Sequence, residues 1–381
     1  MSRRFAVPLL IGVALAMTAC AGAAPTGEGS ETAPEQTTTE DPGQASASPS
    51  TTPSPTSTRA PRRITMAFGG DVHFEGFVRP LVDRPDSLRE LNATLGKADL
   101  AVVNLETAIT EGGTPLPGKT FTFRAPERVL PILERAGVDV IAMANNHAVD
   151  FGLDGFADTM AAKKRSPVPI IGIGEDADEA FAPASLTVKG VKVAVLNGDQ
   201  VLEETLTDHS AGPGKPGVAN ALDSTRIVAE TRKAAATHDV VVVYLHWGIE
   251  PNDCPDEASI TLSRELEAAG ADVIAGGHTH RVNGAGWVGD AYVAYGLGNF
   301  VFYRADEPSS RTGVLTLSLK VPAEREPRSG SPLVRKATWT PMLINADGVP
   351  RIPDQANQDR LHAIWEQARA CTPARDTPDE S

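Results

Sequence analysis

Short, densely apolar runs alternate with longer stretches of helical spacing along most of this chain. The runs Ile64–Phe68, Leu100–Val103, Val138–Ala142, Pro169–Ile173, Val191–Leu196, Val240–Leu245 and Asp272–Ala275 are too short for ordinary helices and predict buried strands. Ser185–Val188 reads as one further strand, turned into Val191–Leu196 by Lys189-Gly190. Between them the spacing predicts helices over Ser87–Leu95, Pro126–Gly137, Leu153–Lys164, Leu222–Thr237 and Glu257–Ala269, with a helical tail over Gln355–Ala370. A hairpin-like stretch ends at Phe121-Thr-Phe123, and the polar, Gly/Pro-rich Gln200–Pro216 predicts a surface loop over the strand ends. Later segments, Ala291–Phe302, Gly313–Val321 and Ala337–Leu343, are β-rich. The alternation predicts an α/β sheet covered by helices, and the β-rich segments a second sheet packed against it.

The beginning of the chain departs from this pattern. Arg3 and Arg4 precede an apolar run from Phe5 to Met17, which has signal-peptide length and is short of the roughly twenty residues of a membrane-spanning helix. Met17-Thr-Ala-Cys20 resembles a bacterial lipobox, predicting lipidation of Cys20; an ordinary secretory signal with an incidental cysteine is the alternative. Residues 21–61 are dominated by Ser, Thr, Pro, Gly and Glu, with too little apolar surface to offset the entropy of ordering. The expected organisation is a signal peptide over residues 1–19, a lipidated tether over 20–62, one domain over 63–345, and a C-terminal helix and tail over 346–381. A chain so built would sit lipid-anchored on the extracytoplasmic face of the membrane.

The formal net charge is −14, and removing residues 1–19 takes away Arg3 and Arg4 and no acid, leaving −16. Nucleic acid is thereby an unsuitable partner. An acidic surface also repels anionic substrates at long range unless bound metal reverses the sign inside the site. With Cys20 lipidated, Cys254 and Cys371 remain, either disulfide-bonded between a loop and the C-terminal helix or as two free thiols.

Polar positions recur where the apolar runs end: Asp71-Val-His73, Asn104-Leu-Glu106, Asn145-Asn146-His147, His246-Trp247-Gly-Ile-Glu250 and His278-Thr-His280. Strand ends of one sheet edge converge in space, so ligands distant in sequence become neighbours. Taken singly, each has an ordinary reading: an Asx turn at Asp71, a cap at Glu106, turn chemistry at Asn146, a hydrogen-bonded core histidine at His246. The joint occurrence carries more, since five of the eight histidines fall at such positions. Carboxylate, amide and imidazole donors in this order predict a metal centre. No Gly-x-Ser-x-Gly elbow or Walker sequence appears, and Gly172-Ile-Gly174 lacks the third glycine of a dinucleotide loop.

The order Asp-x-His, acid, Asn-His, His, His-x-His resembles the calcineurin-like metallophosphoesterases. Gly69-Gly-Asp71, Asn104-Leu-Glu-Thr107, Asn145-Asn-His-Ala-Val-Asp-Phe-Gly152, His246-Trp-Gly-Ile-Glu250, Gly277-His-Thr-His280 and Tyr295-Gly-Leu-Gly-Asn-Phe-Val-Phe302 resemble more closely the CapA family, bacterial poly-gamma-glutamate capsule synthesis proteins. The resemblance implies the metallophosphatase fold, a four-layer αββα sandwich of two mixed sheets flanked by helices. It implies two divalent ions, manganese, iron or zinc: one on Asp71, His73 and His280, the other on Asn146, His246 and His278, with Glu106 bridging. His147 would be the catalytic acid, oriented by Asp150, while Asn104, Trp247, Glu250 and Asn299 would support ligands or substrate. The implied activity is metal-dependent hydrolysis or transfer on an anionic envelope polymer or its precursor, in company with capsule synthesis proteins. A non-catalytic polymer-binding or export module on the same fold is the alternative. Two positions depart from the phosphoesterase pattern: Glu106 replaces Asp, and Ala148 follows His147 where that pattern has an acid.

Overall fold

The computed structural model describes residues 60–323 and 331–378. The expected signal peptide, Cys20 and nearly all of the expected tether lie outside these residues. Among the described residues, no helix is long and apolar enough to cross a membrane.

Two sheets form the body. The eight-stranded one runs Pro350–Arg351, Val334–Ile344, Arg311–Val321, Arg62–Val72, Leu100–Leu105, Val140–Ala142 and Ile170–Ile171, with Asn299–Val301 added beside the end of Arg62–Val72. The six-stranded one runs Ala285–Val288, Ala291–Ala294, Val273–His278, Val240–Trp247, Val191–Asp199 and Ala184–Val188. Central strands of both pair in parallel, which explains their continuous apolar runs: each is covered on both faces. Leu100, Val102, Val140, Val242, Tyr244 and Val273 alternate inward to build the core between the sheets. The opposite-facing Ala101, Val103, Val241 and Val243 meet the helices Val129–Arg135, Gly152–Arg165, Thr225–Thr237 and Glu257–Ala269. The result is the helix–sheet–sheet–helix sandwich expected, and the Tyr244 hydroxyl donates to Gly69 O across it at 2.9 Å.

Three expectations are corrected. Ser87–Leu95 is not an α-helix but the 3₁₀ turns Arg89–Ala93 and Leu95–Lys97, after a third 3₁₀ segment over Gly76–Asp83. Gly96 lies inside the Leu95–Lys97 turn, and Gly137 presses so closely on it that a Cβ on Gly137 would lie 2.6 Å from Gly96 N. The expected hairpin is instead a parallel pair, Ala108–Ile109 with Arg124–Ala125, so Thr110–Phe123 is a long excursion rather than a tight turn. The Gln200–Pro216 loop contains a short helix, Glu204–His209.

The tail helix, Gln355–Ala368, closes one open edge of the sandwich: Trp365 stacks on Trp339 of the eight-stranded sheet, ring centroids 5.8 Å apart. Beyond it, Arg375 exchanges two backbone hydrogen bonds with Trp287 of the six-stranded sheet. Cys254 and Cys371 are joined in a disulfide, with Cα atoms 5.7 Å apart.

Candidate metal centre

The predicted polar positions meet where strands of both sheets end. Asp71 lies beside Asn104 and Asn299 in the register of the eight-stranded sheet, and Trp247 beside His278 in that of the other. His278 and His280 both adopt left-handed backbone, φ 90° and 53°, a conformation that costs energy in any residue with a Cβ. Gly277 admits the approach of the first sheet, since a Cβ there would fall 2.3 Å from Asp71 Oδ1. In that space His278 N donates to Asp71 Oδ2 at 3.0 Å, stitching the sheets together.

Two groups of potential ligands result: Glu106, His246 and His278; and Asp71, Glu106 and His280, the donor atoms of each lying within 4.8 Å of one another. Glu106 belongs to both. It is fully buried, and neither of its oxygens has a hydrogen-bond partner; the nearest cationic candidates are His246 Nε2 at 3.4 Å, His147 Nε2 at 3.9 Å and His280 Nε2 at 4.0 Å. Burial, reinforced by Asp71, pushes its carboxyl well above the usual range. Burial would push Asp71 up as well, but His280, His246 and Asn104 outweigh it and hold the carboxyl down to about 2. Burial pushes His246 well below its ordinary value and, with His280 adding to it, takes His278 to about 3, which favours the neutral form of these two imidazoles. His278 Nδ1 and His280 Nδ1 are likewise without hydrogen-bond partners. Buried polar groups are normally satisfied. A carboxylate with two orphaned oxygens between neutral imidazoles therefore fits divalent cations, which take both donor types.

The surrounding residues hold these groups in place. Asn104 Nδ2 contacts Asp71 Oδ1 at 2.8 Å and His246 Nδ1 at 3.2 Å, and Asn145 Nδ2 donates to Asn104 Oδ1 at 3.0 Å. Asn146 Oδ1 lies 2.9 Å from His246 Nε2, while its Nδ2 donates to Glu203 Oε2 at 3.0 Å. Asn146 is thus at the group of Glu106, His246 and His278, with an amide oxygen as its offering. His147 Nδ1 lies 2.6 Å from Asp150 Oδ2, the pair expected from the sequence, and its Nε2 faces Glu106. Asn299 Nδ2 donates to Ser309 O and leaves a buried, unpartnered Oδ1.

Three expected residues stand apart. His73 falls outside both groups: its Nδ1 and Nε2 face the backbone N–H of Glu75 and Tyr303 at 3.0 and 3.3 Å, and its ring stacks on Phe123. Trp247 is buried, donating to Tyr295 O at 2.7 Å, and serves packing. Glu250 is half exposed, 3.9 Å from His280 Nε2, at the rim.

Four contributors were not anticipated. Phe123 is sandwiched between His73 and His147, with centroids 4.4 and 4.1 Å away. Lys119, its side chain only 6% exposed, pairs with Asp150 Oδ1 at 2.7 Å, donates to Asn146 O and lies 3.8 Å from Glu203 Oε2. Asp199 is fully buried at the end of its strand, in register with His246, and burial pushes it well above the usual carboxyl range. The signal that marked the other positions, a polar residue where an apolar run ends, marks Asp199 too. Lys119, Phe123 and Glu203 sit in aperiodic loops and carry no such signal.

Comparison with known families decides the relationship. The family model described as bacterial capsule synthesis protein PGA_cap matches residues 65–304. The chain belongs to the PGA_cap family. Its relatives include the capsule biosynthesis protein CapA of Bacillus anthracis, 27% identical over 65% of this chain and 62% of that one. The PGA biosynthesis protein CapA of Bacillus subtilis strain 168 is 28% identical over 63% of each chain. The match thus spans just under two thirds of these curated relatives. Among solved structures, a phosphatase from Mycoplasma pneumoniae aligns with 79% of this chain and 99% of its own at 16% identity and a TM-score of 0.46. Both ligand groups, the His147–Asp150 pair and Lys119 fall within the PGA_cap match; the tail helix and Cys371 fall outside it.

Proposed function

We propose that this PGA_cap protein acts in the synthesis of an anionic cell-envelope polymer of the poly-gamma-glutamate type, by hydrolysis or transfer at a centre holding two divalent ions. The observation that supports the reading best is Glu106, a buried carboxylate with both oxygens unpartnered and shared by two ligand groups. Asp71 and His280 would complete one site; His246, His278 and the Asn146 amide the other. Divalent ions held there would polarise the scissile bond and lower the pKa of bound water.

The chain's own residues supply the rest. Asp150 holds the His147 ring so that Nε2 faces the centre, where it can take up a proton and return it to a leaving group. Phe123 and Phe302 wall the imidazoles with apolar surface, which limits water at the centre. We further propose that Cys20 is lipidated and holds the protein on the extracytoplasmic face of the membrane, beside capsule synthesis partners. A polymer-binding module without catalysis is the second reading, favoured by Glu106 and Ala148 at positions where phosphoesterases have acids of other size or kind.

Metal content by mass spectrometry, read with turnover of bis-p-nitrophenyl phosphate and a gamma-glutamyl amide after manganese, iron or zinc is supplied, tests the reading. About two ions per chain, with turnover lost in His147→Ala but the ions retained, is the expected result. Undiminished polymer binding by metal-stripped protein, with no turnover, would replace it by the second reading. Incorporation of radiolabelled fatty acid, abolished by Cys20→Ser, tests the anchor.

A further inference from the structure

A lysine with a 6% exposed side chain is unusual, since ammonium groups are rarely buried without partners. Lys119 lies in the Thr110–Phe123 excursion, yet its ammonium reaches through to the back of the candidate acid. There it meets Asp150 Oδ1 at 2.7 Å and the carbonyl of Asn146. Asp150 Oδ2 is occupied on its own side by Phe123 N at 2.6 Å and His147 Nδ1 at 2.6 Å. The carboxylate is thus ringed by donors, and of these only Lys119 brings a full charge.

We propose that Lys119 is a positioning residue, keeping Asp150 a pure hydrogen-bond acceptor and thereby fixing His147 in the tautomer protonated at Nδ1, with the Nε2 lone pair turned toward Glu106. The inference rests on the role proposed above for His147, but its structural content does not depend on turnover. An ionised Asp150 can only accept, so the hydrogen between Asp150 and the neutral imidazole belongs to Nδ1. Burial pushes Asp150 up to about 7 even with Lys119, the strongest group pulling against it, in place, so without the ammonium the carboxyl would rise further. With the ammonium removed, a proton settles on the buried carboxyl, which then donates to Nδ1, and the imidazole proton moves to Nε2. The proton count balances: the pair gains one proton from solvent, on Asp150, and the neutral imidazole changes tautomer. An Nε2 that carries a hydrogen cannot accept one from the reacting centre.

Histidine-selective 15N spectra of the whole chain, metal stripped with chelator and held at about pH 9, where a carboxyl at about 7 is ionised, read the tautomer directly. The His147 signals are identified by their loss in His147→Gln. The wild type and Lys119→Arg should show a protonated Nδ1 and a bare Nε2, and Lys119→Met the inverse. An unchanged tautomer in a folded Lys119→Met variant overturns the proposal and leaves Lys119 a loop anchor. If that variant does not fold, Lys119→Gln carries the same comparison, keeping a donor for Asn146 O without the charge. Turnover is a separate readout: kcat on bis-p-nitrophenyl phosphate should fall about a hundredfold in Lys119→Met with KM nearly unchanged. A wild type without turnover would sink the proposed function while the tautomer comparison still decides the role of Lys119.

Discussion

The two sheets contribute different chemistry to the same centre. The eight-stranded sheet and its loops supply acids and amides, Asp71, Glu106, Asn104 and Asn146, whereas the six-stranded sheet supplies imidazoles, His246, His278 and His280. Neither ligand group is complete on one sheet. The centre therefore exists only once the sheets have packed, and ions bound there would stabilise that packing as well as any reaction. Glu106 carries the comparison furthest, because it is the one ligand that faces both groups.

Removing it should have the largest effect. Glu106→Ala is expected to abolish binding of both ions, whereas a ligand from the six-stranded sheet should affect mainly its own group. His246→Ala should lower the content from about two ions to about one, and His280→Ala should do the same at the other position. Mass spectrometry of protein purified without chelator checks all three. Equal loss in all three variants would show the two groups to be one site and break the distinction between the sheets.

How much of this was readable beforehand follows from where each residue lies. The strands were legible because central parallel strands are covered on both faces and must be apolar throughout; the residues that end them were legible as polar interruptions. The double sheet and the pairing of His147 with Asp150 followed from the same pattern and the motif resemblance. The helix predicted over Ser87–Leu95 is instead two 3₁₀ turns, and local propensity carries no sign of the backbone packing of Gly137 on Gly96 within the second. Lys119 was illegible for a related reason: its partners, Asp150 and Asn146, are 31 and 27 positions away along a loop whose return path no periodicity announces. His73 shows the reverse. Its spacing from Asp71 suits a shared ion, yet its nitrogens face backbone donors.

The disulfide sharpens the same comparison from the opposite edge. The tail helix rests on the eight-stranded sheet through Trp365 and Trp339, while Cys254 lies in the loop that follows the Val240–Trp247 strand of the other. The bond thus clamps the two sheets covalently across 117 positions of sequence. Cys254→Ser with Cys371→Ser should cost about 2–5 kcal/mol of stability in denaturant unfolding, without altering the metal content. A loss of ions in this double variant would mean that the clamp, and not the strand ends alone, sets the geometry of the centre.

The smallest expected effect has an unusual sign. In chelated protein Glu106 is a buried carboxyl with no hydrogen-bond partner, so Glu106→Gln, which removes the charge at nearly constant shape, should stabilise the metal-free chain by about 1–3 kcal/mol. The same substitution should weaken ion binding, so its effect on the unfolding temperature should reverse when manganese is added. The pH dependence follows from the raised pKa. A carboxyl whose folded value lies above its unfolded value favours the fold when protonated, so its contribution is fully present below about 4.5 and is lost as pH rises through the folded value. The gap between variant and wild type should therefore be widest at high pH and close as pH falls toward about 4.5, where both side chains are neutral. Thermal unfolding of the two chelated proteins across that range reads the gap directly. A gap that stayed constant with pH would show that Glu106 is not the source of the strain, and that the first sheet's acids are satisfied without a cation.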